Sequence, residues 1–158
     1  MKQLSDALLT ELSQRAQSSP RRRANHNLHE QLQDSVQRLA VAMEPDTYVR
    51  PHRHPHTWEL LTPLRGRFVV LHFDDAGAVT ARTVLGEDSR ALETPAGAWH
   101  AVLSLDSGGV ILEVKHGPYA PIAAQDLAPW SAPAEDAAAL ARTLAWYAQA
   151  RRGARLAP

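Results

Sequence analysis

The spacing of apolar residues changes character three times along the chain. Over residues 3–17, Leu4, Leu8, Leu9 and Leu12 recur at helical intervals, with Ser5 placed to cap. This predicts an amphipathic helix, which Ser18-Ser19-Pro20 ends, because proline disfavours helical geometry in the residue before it. From about residue 34 to 116 the pattern becomes short strand-like runs: VQRLAVAME (36–44), TYVRPHRH (47–54), WELLTPL (58–64), RFVVLHF (67–73), AVTARTVL (78–85), AWHAVLSL (98–105) and VILEVKH (110–116). Turn signals separate them at Pro45-Asp46, Gly66, residues 74–77, Pro95 with Gly97, and Gly108-Gly109. Short strands at regular spacing predict an all-β sandwich or barrel. No long helical runs alternate with them, which argues against a parallel α/β sheet. After Gly117-Pro118 the chain is irregular and proline-rich through Pro133. Residues 134–150 then read as a helix, with acids in the first turn, Arg151-Arg152 at its end and an apolar stripe of Leu140, Leu144 and Tyr147. The closing RRGARLAP is expected to fray.

A length of 158 residues suits one domain around one core, and the apolar fraction of 44% is ordinary for a globular protein. Lys plus Arg balances Asp plus Glu, giving a formal net charge of zero. That argues against a general nucleic-acid binder, which needs a basic excess, and against a polybasic membrane-surface protein. There are no cysteines, so disulfides, thiolate metal sites and cysteine nucleophiles are excluded. Any metal must be held by nitrogen and oxygen. No run of 18 apolar residues spans a membrane, and the N-terminus carries acids among its leucines, unlike a secretory signal. A cytoplasmic location is the resulting expectation.

The eight histidines change the picture more than the totals do. Side chains alternate across a strand, so Tyr48, Arg50, His52 and His54 are predicted to share one face. Two imidazoles would then stand side by side. Glu59 follows across a short turn, and Pro95-Ala96-Gly97-Ala98-Trp99-His100 presents a further histidine at the start of a strand.

Segment 52–66 reads H-x-H-x4-E-x6-G and segment 95–100 reads P-x-G-x2-H. These resemble the two motifs of the cupin superfamily in their usual order. The second motif departs in two places, where the expected glycine falls at Ser89 and the expected asparagine at Ser104. The resemblance implies an all-β jelly-roll barrel with His52, His54, Glu59 and His100 as ligands of one divalent metal, and Gly66 closing a turn. The bland alternative is a metal-free barrel whose histidines only hydrogen-bond. The runs RRRANHNLH (21–29), YVRPHRH, EVKHGPY (113–119) and APW with SAPAE further resemble the WbuC family of cupin-fold metalloproteins. Some of its members belong to surface-polysaccharide gene clusters, and no reaction is firmly assigned to it. The resulting layout is a single cupin domain: helix 1–20, a polar segment 21–35 over the barrel mouth, barrel 36–116, and a C-terminal extension 117–158 with a helix.

Three imidazoles and one carboxylate leave two open positions on an octahedral ion, which suits Fe(II), Mn(II) or Ni(II), with Zn(II) also accommodated. Among the remaining residues, Arg50, Lys115 and Tyr48 are candidates for catalysis. Arg50 is equally well read as a rim arginine paired to an acid, and Tyr48 as core. Glu113 and Lys115 face outward if Val110, Leu112 and Val114 fill the core, and face the pocket otherwise. Arg23, Asn25, His29, Arg50, Lys115 and Tyr119 are candidate substrate contacts, although a charged run such as 21–29 is also an ordinary solvated surface. His56 reads as exposed, His72 as a satisfied core or surface residue, Trp58 and Trp99 as core, and Trp130 and Trp146 as docking the C-terminal segment. The leading expectation is a metal-dependent enzyme, isomerase-, epimerase- or dioxygenase-like, acting on a small polar or anionic molecule. A metal-containing module that senses a ligand without turnover is the alternative. A homodimer is expected by analogy with cupins.

Overall fold

Ser5 accepts a hydrogen bond from the Leu8 N–H and starts a helix, α1 (Asp6–Ser18), in which Leu9, Leu12 and Ala16 are buried. The computed structural model describes residues 1–133 and 135–156. Eight strands follow: β1 (Arg23–Asn27), β2 (Val36–Met43), β3 (Glu59–Arg65), β4 (Phe68–Phe73), β5 (Val79–Leu85), β6 (Leu92–Thr94), β7 (Trp99–Ser104) and β8 (Gly109–His116). A short 3-10 turn (Ala124–Asp126) and helix α2 (Ala137–Gln149) complete the chain. The strands form two antiparallel sheets, ordered β1-β2-β8-β3-β6 and β5-β4-β7. This is the all-β jelly roll with flanking helices that the two motifs imply.

Both faces of both sheets are covered, so the molecule is layered. Between the sheets lie Val41, Met43, Leu61 and Ile111 from one side and Phe68, Val70, Leu85 and Val102 from the other. The outer face of the five-stranded sheet carries Ala40, Ala42 and Val110, small enough for α1 to seat Leu9, Leu12 and Ala16 on it. The outer face of the three-stranded sheet, with Leu71, Phe73 and Trp99, is covered by Ala128, Tyr147 and Ala150, against which Trp130 and Trp146 pack. Full burial of a side chain such as Leu12 or Phe68 contributes about 1.5–3 kcal/mol. Gly66 turns β3 into β4 with φ +74, and a Cβ there would stand 3.2 Å from the Gly109 Cα.

Residues 23–27 pair with β2 as the edge strand β1, Arg23 opposite Met43 and Asn27 opposite Leu39. Three expectations need correction. Residues 47–54 do not make a strand. Within it Pro51 has no N–H to give a ladder, and only His52 forms bridges. The acids before α2 are not in its first turn: Asp136 is the cap, accepting from the Ala139 N–H at 2.9 Å, and residue 134 of the expected helix lies outside the described residues. The C-terminal tail is tied down as far as Ala154, with Gly153 N–H donating to Val79 O and Val79 N–H to Ala154 O; residues 157 and 158 lie outside the described residues. No helix among the described residues is long and apolar enough to cross a membrane.

Candidate metal centre

Two main-chain hydrogen bonds make the site. His52 N–H donates to His100 O at 3.0 Å and His100 N–H donates to His52 O at 2.9 Å. Residues paired in this way carry their side chains on the same side, and the two imidazole centroids are 4.4 Å apart. Gly97 N–H donates to His54 O at 2.9 Å, which fastens the Pro95–Gly97 turn to the first motif. Glu59 opens β3 between Lys115 on β8 and Thr94 on β6. The result joins residues 41 positions apart: Glu59 Oε2 lies 3.1 Å from His100 Nε2, and Glu59 Oε1 lies 3.3 Å from His54 Nε2.

Burial and charge set the protonation of this cluster. Burial, reinforced by His100, pushes the His52 imidazole down to about 3, so it is neutral. Burial alone would raise Glu59, but hydrogen bonds from His100 and His54 and the Lys115 charge hold its carboxyl well below the usual range. Burial works against charge on His100 as well, yet the Glu59 carboxylate outweighs it and raises the imidazole. Lys115 Nζ bridges Glu113 Oε1 at 2.6 Å and Glu59 Oε1 at 3.3 Å, and these two acids raise its ammonium against the cost of burial. Burial and the nearby Glu59 push the Glu113 carboxyl up.

The donor set fits a divalent ion. One nitrogen from each of His52, His54 and His100 lies within 4.8 Å of the others, so these three residues could hold a metal. Nδ1 of His52 meets Arg50 O at 2.9 Å, and Nδ1 of His100 meets Ala98 O at 3.0 Å. A carbonyl only accepts, so each Nδ1 carries the hydrogen of the bond. That orientation is the one in which Nε2 serves as the metal donor. His54 Nε2 sits 3.3 Å from a carboxylate that only accepts and 3.4 Å from an ammonium that only donates. One nitrogen cannot satisfy both, whereas a cation shared by His54 and Glu59 would satisfy both residues.

The other candidates divide. Glu113 and Lys115 lie on the face of β8 that looks between the sheets, because Leu61 pairs with Glu113 and Glu59 with Lys115. Tyr119, half exposed, borders the cavity beside the site. Arg50 and Tyr48 are engaged elsewhere. Arg50 donates to Ser131 Oγ at 2.6 Å and Ala128 O at 3.2 Å, and Tyr48 stacks on Tyr147 and donates to Ala132 O. Their predicted shared face with the histidines presupposed a regular strand that is not there. His29 is buried with Nδ1 against the Arg38 main chain, and exposed Asn25 donates to Asn27 Oδ1. Arg23 is half-buried on β1, where burial, then Arg21, lower its guanidinium, with Glu113 and Tyr119 opposing. None of Arg23, Asn25 and His29 borders the cavity. His56 is exposed. His72 faces inward, its ring 6.4 Å from that of His100 and Nε2 3.1 Å from Thr94 Oγ1.

A cavity of about 200 Å³ opens beside His54 and Lys115, with residues 118–123 as one wall and Arg53 and Asp126 as another. Arg53 and Asp126 escaped sequence reasoning. Arg53 stands between the two histidines of the first motif, and the residue it depends on is 73 positions away.

The family described as "Domain of unknown function (DUF6016)" matches residues 4–85, just over half of the chain. The chain belongs to that family. The matched segment of this DUF6016 chain includes His52, His54 and Glu59 but stops before His100 and Lys115. No curated protein matches. Among solved structures, TT1209 from Thermus thermophilus is similar at 19% identity and TM-score 0.54, covering 75% of this chain and 98% of that one. KdgF from Halomonas sp. is similar at 14% identity and TM-score 0.51, covering 65% and 85%. A cupin superfamily protein from Desulfitobacterium hafniense matches at 18% identity and TM-score 0.48, covering 60% and 76%. At these identities the likeness to the first two concerns the fold.

Proposed function

We propose that this protein is a mononuclear metalloprotein in which His52, His54, Glu59 and His100 hold one divalent ion, and that it is a metal-dependent enzyme acting on a small polar or anionic metabolite. The observation that carries this reading is the convergence of three imidazole nitrogens within 4.8 Å of one another, with the Glu59 carboxylate against two of them. Bound there, Fe(II), Mn(II), Ni(II) or Zn(II) would polarise a substrate oxygen or acidify a water. The chain's own residues do the rest. His52 and His100 are fixed by main-chain carbonyls, and Lys115 places a cation at the border between centre and cavity, where it can orient an anionic group. The resemblance to the WbuC family supports a carbohydrate-related substrate and a surface-polysaccharide context, and analogy with cupins supports a homodimer. Light scattering on the purified protein tests the latter.

The reading is tested by screening small hydroxy acids, keto acids and sugars for turnover with metal-loaded protein. Turnover that vanishes with chelator and in His54→Ala supports the enzyme. Saturable binding of one such compound without turnover would favour the non-catalytic, ligand-sensing module instead.

A further inference from the structure

The guanidinium of Arg53 is positioned more tightly than a surface arginine needs to be. Its Nε donates to Asp126 Oδ1 at 2.9 Å, and its Cζ lies 4.5 Å from the centroid of the Trp99 ring. Its main-chain N–H donates to Asp126 O at 3.0 Å. Both supports are themselves anchored: Asp126 is 8% exposed, and Trp99 Nε1 donates to Asp75 Oδ1 at 2.9 Å. Yet Asp126 occupies only Nε. The two Nη groups make no hydrogen bond among the described residues, and the side chain is 34% exposed. A planar guanidinium held in place with free Nη groups is suited to an oxyanion, and little entropy is lost when the ligand arrives.

The cavity that Arg53 borders has matching chemistry. Its wall carries Arg53, Lys115 and the imidazoles of His54, His56 and His116, with one acid in the wall, Asp126, already bonded to Arg53, and Glu113 and Glu59 paired with Lys115. The volume of about 200 Å³ falls below the range of drug-sized pockets. A ligand of a few carbons fits.

Resting on the metal-centre reading, we propose that Arg53 is a specificity-determining residue that clamps the carboxylate or phosphate of a small organic acid whose other end lies at His54 and Lys115. Asp126 and Trp99 are its positioning residues. The role goes beyond tying residues 124–128 to the barrel, because such a tie uses Nε alone.

The test measures binding of malonate, inorganic phosphate and the neutral malonamide by calorimetry to Zn(II)-loaded wild type and Arg53→Lys. Lysine keeps an aliphatic stem over Trp99 and a positive charge but loses the fork. In wild type, malonate or phosphate should bind about tenfold or more tighter than malonamide, and Arg53→Lys should lose about tenfold or more of that anion affinity. Zn(II) stoichiometry and thermal midpoint should stay unchanged. The preferred anion tells carboxylate from phosphate. The proposal is overturned if wild type binds malonamide as well as it binds the anions, if neither anion binds, or if anion affinity is the same in Arg53→Lys. A wild type that takes up no stoichiometric Zn(II) would instead sink the metal reading, and the same comparison on metal-free protein would still decide the role of Arg53.

Discussion

At the scale of single residues, the site depends on where hydrogens and charges are held. His72 is the clearest case outside the ligand set. Burial, reinforced by His100, pushes its imidazole down to about 4, while an unfolded histidine titrates near 6.5. Between those values the unfolded chain binds the extra proton, so His72 contributes stability that is present above about pH 6.5 and is lost as pH falls towards 4. The urea midpoint of metal-free protein should therefore fall between pH 7 and pH 5, and fall less in His72→Gln. His100, raised by Glu59, acts with the opposite sign but is common to both proteins, so the difference isolates His72. Equal slopes would contradict this assignment. Gly66 gives a second prediction. Its φ of +74 costs an L-residue about 1–2 kcal/mol, and the Gly109 backbone lies against the added methyl, so Gly66→Ala should lower the thermal midpoint.

At the scale of elements, what could be read depended on whether an element buries one face or two. Helix α1 has one apolar stripe, and its leucines and Ser5 cap were legible. Leu12→Ala there should cost about 2–5 kcal/mol in chemical denaturation while leaving metal stoichiometry intact, because α1 packs on the sheet face away from the site. Strand β8 is covered on both faces: Val110 meets α1, while Ile111 meets the inner core and Glu113 and Lys115 extend that same inner face toward the site. Its alternation therefore could not say which way Glu113 and Lys115 point. The 47–54 stretch failed for a different reason. Its alternating letters imitate a strand, but only His52 is paired as in a sheet, and Tyr48 and Arg50 turn to Ser131, Ala132 and Tyr147.

At the scale of the whole molecule, the candidate site exists because two motifs meet across the barrel. The resemblance of the two motifs to those of cupins brought His52, His54, Glu59 and His100 together on paper, and the fold brings them together in space. What spacing could not give is the wall contributed after the barrel ends. Residues 118–128 return to place Tyr119 at the cavity rim and Asp126 against Arg53, a contact set by tertiary packing with no local signature. The consequence is that metal binding and cavity shape are separable. Asp126→Ala should leave metal affinity within a fewfold of wild type and weaken binding of small anions, as read by calorimetry.

The most direct test of the central claim is a titration of chelator-stripped protein with Zn(II) against a competing chromophoric chelator. The account predicts saturation at one ion per chain, with affinity reduced by about a hundredfold or more in His52→Ala and in His100→Ala. Absence of saturable binding in the wild type, or an affinity indifferent to both substitutions, would contradict it.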